Sequence, residues 1–253
     1  MPSTSHPLID HAWSVILAAP PSFFELFYLL TLVASLMLAV GFMTRFASVA
    51  VWVLVVSWIN PLSLGSNGAD MMIRVLAFLT MVAAVMGHAQ CALSVDRWIA
   101  ERKTPAASWS EKIPAWTTRL FQIQLVLIYF FSGWFKSSGP DWINGTALHY
   151  VLNQGVWSRF DVLGMSAHPV LIGLLTYGSL LFELILFPAL VWPLATRIPI
   201  LIGGLLFHLG IGISMRIIMF TEVMPVFYLV FLEEEHILWI WDRVKKVLPA
   251  KRR

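Results

Sequence analysis

The chain has 253 residues, 58% of them hydrophobic and only 12% charged, with a mean hydropathy of +0.78. Soluble domains carry about 25% charged residues, so a water-soluble globule is excluded and a bilayer protein is indicated. The net charge of +3 points to no nucleic-acid partner, because the basic residues gather at the ends of apolar segments. The one cysteine, Cys91, excludes an internal disulfide and any cysteine-rich metal site.

The first twenty residues, MPSTSHPLIDHAWSVILAAP, lack a basic n-region, so no cleavable signal peptide is expected. Apolar segments follow at Phe23–Met43, Phe46–Leu64, Met71–Ala89, Leu120–Lys136, Pro169–Leu194, Ile198–Met215 and Ile217–Leu232. Most can cross roughly 30 Å of hydrocarbon as helices; the last is short and needs Trp239 and Trp241 or local thinning. Period-2 alternation is absent, which argues against a β-barrel. The expected fold class is therefore all-α, a polytopic helical membrane protein of about seven transmembrane helices.

Sorting the 17 lysines and arginines by side leaves only Arg74, Lys136, Arg159 and Arg216 on one face. The richer face is cytoplasmic by the positive-inside tendency, which predicts the N-terminus outside and the C-terminus inside. Seven spans fit this better than six, because six would put the basic tail outside. The expected organisation is a transmembrane domain over 1–232 and a cytoplasmic tail over 233–253. In that tail, 237-ILWIWDRVKKVLPAKRR-253 has the spacing of an interfacial amphipathic helix on anionic lipid.

Ionisable residues inside a membrane are costly, so each needs a reason. Asp70 and Arg74 share a helix face four residues apart, as a local ion pair or as part of a site. Lys136 ends an apolar run, 129-YFFSGWFK-136, and two readings stand. One is a lysine snorkelling to the membrane surface. The other is a base whose amine is desolvated by Phe130, Phe131, Trp134 and Phe135. Gly139-Pro140 ends the helix, and 145-GTALHYVLN-153 is expected to form a short interfacial helix that could roof a pocket over Lys136. Glu183 and His208 lie at similar depths in adjacent antiparallel spans, which predicts either a functional pair or a structural hydrogen bond. Seven histidines without an HxxH or HxxxH pair support no metal box, and no metal is expected.

The motifs 41-GFMTR-45, 66-SNGADMMIR-74, 94-SVD-96, 122-QIQLVLIYFFSGWFK-136, 141-DWINGTALHY-150, Glu183 with Pro188, and 207-FHLGIGISMRIIMFTEVM-224 carry a family resemblance. With them the chain resembles the HTTM (horizontally transferred transmembrane) family, related to the membrane part of vitamin K-dependent γ-glutamyl carboxylase. The resemblance implies that Lys136 matches the second of two adjacent lysines, the base on vitamin K hydroquinone. It also implies a site on the extracytoplasmic face, reduced vitamin K or menaquinol as cosubstrate, and a peptide or protein substrate. Tyr129, Asp141, Asp70, Arg74, Glu183 and His208 would then orient substrate or tune charge.

The sequence departs from that pattern in several places. Phe135 replaces the first lysine, and no histidine stands at Ala69-Asp70, where the carboxylase has one. The large lumenal domain and a first family span are also expected to be missing, so glutamate carboxylation by this chain alone is not expected. The expectation is a carboxylase-like protein of a bacterial inner membrane, with quinol epoxidation or peptide modification as its activity. The alternative is a non-enzymatic membrane partner in peptide-toxin maturation or immunity.

Overall fold

The computed structural model describes residues 20–59, 68–87, 94–103, 114–155, 157–159, 164, 167–217, 219–233 and 235–236, and these form two compact units, Met1–Thr118 and Arg119–Arg253. They are helical, apart from one isolated bridge between Ser158 and Met215. Most of the expected amphipathic tail lies outside the described residues.

The first unit holds α1 (Pro21–Ala39), α2 (Thr44–Ile59), α3 (Gly68–Val85) and the short charged α4 (Val95–Lys103). Its interior is built from small side chains: Ala34, Ala47, Ser48, Val51, Ala69, Ala77, Ala83 and Ala84 are buried. Large residues such as Leu26, Tyr28, Leu36 and Phe46 are exposed. Small residues at helix contacts and large apolar ones outside are what lipid as solvent selects, since close backbone approach then supplies the packing.

The entry to α2 is held from far along the chain. Asp96, in the first turn of α4, accepts bonds from the Met43 N–H at 2.7 Å, the Thr44 N–H at 2.8 Å and the Thr44 hydroxyl at 2.8 Å. The N–H groups of Val95 and Asp96 in turn reach the carbonyls of Val40 and Gly41. Gly41 has φ +66°, and a Cβ there would fall 2.5 Å from Ser94 Cβ, so only glycine fits. Two motifs read separately in the sequence, GFMTR and SVD, are thus one remote helix cap.

The second unit contains α5 (Ala115–Ser137, which starts just before the boundary), α6 (Pro140–Ile143), α7 (Ala147–Asn153), α8 (Pro169–Leu190), α9 (Leu194–Ser214) and α10 (Phe220–Phe227). The last continues as a 3₁₀ turn, Tyr228–Phe231. Its core is Leu125, Tyr129, Phe187, Val191, Met224, Phe227, Tyr228 and Phe231. Arg197 is buried at the α8–α9 turn, where it donates to the carbonyls of Val191, Trp192 and Phe231 and pairs with Glu233.

α8 is not regular throughout. Residues Phe182–Leu186 form a π-helical turn just before Pro188, which lacks the N–H that a regular turn would offer to Leu184. At this turn α5 approaches closely. A Cβ on Gly133 would sit 2.8 Å from the Leu184 nitrogen and 2.9 Å from its Cβ.

Four described helices, α1, α3, α8 and α9, are long and apolar enough to cross a membrane. α5 is of comparable length, with 23 residues, but carries Gln122, Gln124 and Lys136. α2 and the Phe220–Phe231 segment are apolar but shorter. The expected span Pro169–Leu194 ends earlier, at Leu190, because Pro193 caps the start of α9.

Two stability predictions follow from these junctions. Burial alone would push the Asp96 carboxyl up, but the bonds from Thr44 and Met43 outweigh it and hold it below its ordinary 3.8. Its contribution is therefore present above the unfolded-state value and lost as pH falls through the lower folded value. Asp96→Asn should cost about 1 kcal/mol at neutral pH and flatten the acid limb of melting temperature against pH in detergent. Gly133→Ala should cost about 1–3 kcal/mol by overpacking. Gly173→Ala, where a Cβ meets nothing within 4 Å, should be neutral or stabilising in the same melts.

Candidate functional site

One face of α5 supplies the site. Gln122, Leu125, Tyr129, Ser132, Gly133 and Lys136 recur at intervals of three and four residues, so they form one stripe along the helix. Gly133 brings this stripe against the π-turn of α8, which carries Glu183. Lys136 Nζ lies 2.6 Å from both Glu183 Oε1 and Oε2, and the Ser132 hydroxyl donates to Oε2 at 3.2 Å. Glu183 is buried, whereas 27% of the Lys136 side chain remains exposed. Part of the Lys136 side chain is therefore open while its partner is enclosed.

The chain beyond α5 folds back onto α8 and closes one side of this pair. Pro140 opens α6, and the Trp142 ring centroid stands 5.0 Å from Lys136 Nζ, within cation–π range. Gly145, at φ +73°, lets the backbone lie on the Tyr177 ring, and the Tyr177 hydroxyl donates to the Ile143 carbonyl at 2.8 Å. In α7, the Leu148 N–H reaches the buried Thr176 hydroxyl at 3.3 Å, with Ala147 and Leu152 buried. The expected short helix is present, and it is clamped to α8.

Deeper along the same stripe lies a second polar group. The Tyr129 hydroxyl shares a 2.7 Å hydrogen bond with His208 Nε2 and a second bond with the Tyr228 hydroxyl. Tyr129 stacks on Phe187 at 3.9 Å, and His208 is edged by Phe207 and Phe220. Gly204, one turn before His208, makes room for the Tyr228 hydroxyl, which a Cβ there would overlap. His208 is 1% exposed and its Nδ1 has no hydrogen-bond partner among the described residues.

Several expectations are revised. Glu183 pairs with Lys136 rather than with His208, and His208 pairs with Tyr129. Equal depth on α8 and α9 does not make two residues neighbours, because α5 presents its own side chains to each helix. Of the four aromatics expected to desolvate Lys136, Phe130 is half-buried and the other three face outward. Phe131, Trp134 and Phe135 are exposed, since they fall on the side of α5 away from the stripe. Nor does the Lys136 amine run along the helix end towards a surface. It meets Glu183 about 21 Å from the Pro169 end of α8 and about 10 Å from the Leu190 end.

The remaining candidates are Asp141, Asp70 and Arg74. Asp141 is exposed in the first turn of α6. Asp70 and Arg74 lie half-buried one turn apart on α3 in the other unit, where an Arg74 guanidinium nitrogen also approaches Met71 Sδ at 3.9 Å. Ser132, Trp142 and Tyr228 went unselected by sequence reasoning. Ser132 had a signal, being one turn before Lys136 on its own face, and Tyr228 was the one phenolic hydroxyl in its apolar segment.

Comparison with known proteins gives two matches. The HTTM domain matches residues 11–236. The sporulation-delaying protein SdpB of Bacillus subtilis (strain 168) is 21% identical over 224 residues, covering 86% of this chain and 68% of that protein. No solved structure matches. With the family matched over most of its length and four helices able to cross a membrane, the chain belongs to the HTTM family and is an integral membrane protein.

Proposed function

We propose that this protein is a carboxylase-like membrane enzyme in which Lys136 removes a proton from a lipid-borne quinol. The carrying observation is a partly exposed lysine set against a buried carboxylate inside the span of α8. The pair is neutral whether the shared proton sits on nitrogen or oxygen, so the proton can move without creating net charge in a low-dielectric region.

The side chains present suit a quinol. Tyr129, His208 and Tyr228 offer polar atoms amid Phe182, Phe187, Phe207 and Phe220, and the orphaned His208 Nδ1 could accept or donate a bond. That mixture fits a flat apolar ring bearing polar substituents. Reduced vitamin K or menaquinol, when bound, supplies the oxygen chemistry, in which quinol and O₂ give the quinone epoxide and water. The chain's own part is to orient the ring, hold the proton taken at Lys136 Nζ and limit water around the pair. Asp141, and Asp70 with Arg74, are proposed contributors to charge and orientation. A peptide from the extracytoplasmic side is the proposed second substrate.

The charge asymmetry supports seven spans, with the N-terminus outside and the C-terminus inside a bacterial cytoplasmic membrane. In that orientation α5 runs outward to Lys136, and its contact with Glu183 falls nearer the Leu190, cytoplasmic end of α8.

The likeness to a protein named for delaying sporulation favours a second reading. In it the chain is a non-enzymatic membrane partner in the maturation of, or immunity to, a toxic peptide, and the Lys136–Glu183 pair joins two helices.

An epoxidation assay separates these. With the protein in nanodiscs, reduced vitamin K or menaquinol and oxygen, mass spectrometry should find epoxide from wild type. Lys136→Ala should lower the yield about 100-fold or more. Folded wild-type protein that makes no epoxide from either quinol would remove the quinol reading and leave the partner reading.

A further inference from the structure

Lysine can serve as a base only when its amine has a free lone pair, and three of the four aromatics that would have released it by desolvation, Phe131, Trp134 and Phe135, are exposed. What touches Lys136 instead is a carboxylate. Both Glu183 oxygens are 2.6 Å from Nζ, and Oε2 also takes the Ser132 hydroxyl at 3.2 Å. The second oxygen, Oε1, accepts from Lys136 without a bond from Ser132, which leaves it the better placed to bind a proton covalently.

We infer that Lys136 and Glu183 work as one base that shares a proton, with Ser132 as the positioning residue that directs the incoming proton to Oε1. This rests on the reading of Lys136 as the base. The step balances as follows: the substrate O–H bond breaks, an N–H bond forms at Nζ, and the proton already on Nζ passes to Oε1. The pair ends as ammonium beside carboxylic acid, with one added positive charge facing the new negative charge on the substrate oxygen. The two residues come from different helices, and the approach that joins them is the one Gly133 permits.

The groups around the pair bear on any pH profile. From α5 there is Tyr129, from α6 the Trp142 ring with Asp141 exposed beyond it, and from α9 His208. Tyr228 bonds Tyr129 and lies beside the His208 ring. Arg197, a buried cation of this unit, is held at the α8–α9 turn by three backbone carbonyls and Glu233.

The test reads the amine directly and needs no turnover. Full-length protein in nanodiscs is acetylated by acetic anhydride across a pH series, and the modified fraction at Lys136 is followed by peptide mass spectrometry. A shared proton predicts two steps in the wild-type labelling profile, because coupled groups titrate as a pair. Glu183→Gln should collapse the profile to one step, displaced by about one pH unit or more, or about tenfold in rate. Ser132→Ala should keep two steps but move them. Ser137→Ala, whose hydroxyl bonds the Trp134 carbonyl, should match wild type. One step in wild type, merely displaced by Glu183→Gln, would mean that Glu183 stays ionised and would overturn the shared base. A Ser132→Ala profile superimposed on wild type would overturn the positioning role, and this variant also serves if Glu183→Gln fails to fold. Two steps in protein that makes no epoxide would keep the shared base and remove only the quinol as its substrate.

Discussion

A carboxylate buried among apolar helices must find a cation or be neutral, and much of the second unit is arranged around that demand. Glu183 lies well inside α8, out of reach of either helix end. Lys136 answers it from α5, and the contact requires the two backbones to approach more closely than a side chain at position 133 would allow. The π-turn that carries Glu183 has a local cause in Pro188, which cannot continue the ordinary hydrogen-bond ladder. The α6–α7 segment then packs back on α8, so the Trp142 ring covers part of the amine. Removing any of these features would leave the carboxylate's partner farther away or more hydrated.

The same economy of polar atoms operates elsewhere. Arg197 is buried but satisfied by carbonyls at the helix turn, so it is a cap for chain ends that would otherwise lack donors. Asp96 caps α2 from half a unit away in sequence, using two backbone N–H groups and a hydroxyl. His208 differs from both. One of its nitrogens is engaged and the other is buried without a partner among the described residues, a condition a protein interior seldom leaves without use. It lies on the same stripe of contacts as the Lys136 pair, and its neighbours are aromatic rings.

The helical class was legible because apolar run length is a direct reading of the solvent around a helix. Lys136, Glu183, Tyr129 and His208 were legible as individuals because hydrogen-bonding or ionisable groups stand out in such runs. Their partners were not. Counting depth along α8 and α9 treats the bundle as two helices, and the pairing is decided by a third, α5, whose rotation sets which side chain meets which helix. The rotation could have been read from the three- and four-residue spacing of Tyr129, Ser132, Gly133 and Lys136. Phe131, Trp134 and Phe135 drew attention by bulk, yet that spacing already placed them on the other face. The π-turn and the left-handed glycine at 145 are backbone events that pattern alone does not display.

The geometry also weighs on which reading of Lys136 is the more economical. A pair that only joined two helices would do best fully enclosed, and replacing such a pair with well-packed apolar side chains is often neutral or stabilising. Here the carboxylate is enclosed and the lysine is partly open. The amine is faced by a tryptophan ring rather than by a second anion. A snorkelling lysine has the opposite arrangement, with its charge released to water and its stem against the protein. An enclosed carboxylate behind a partly open lysine is the asymmetry that the proposed proton transfer would use, because a proton taken at the lysine would pass inward without exposing the carboxylate to water.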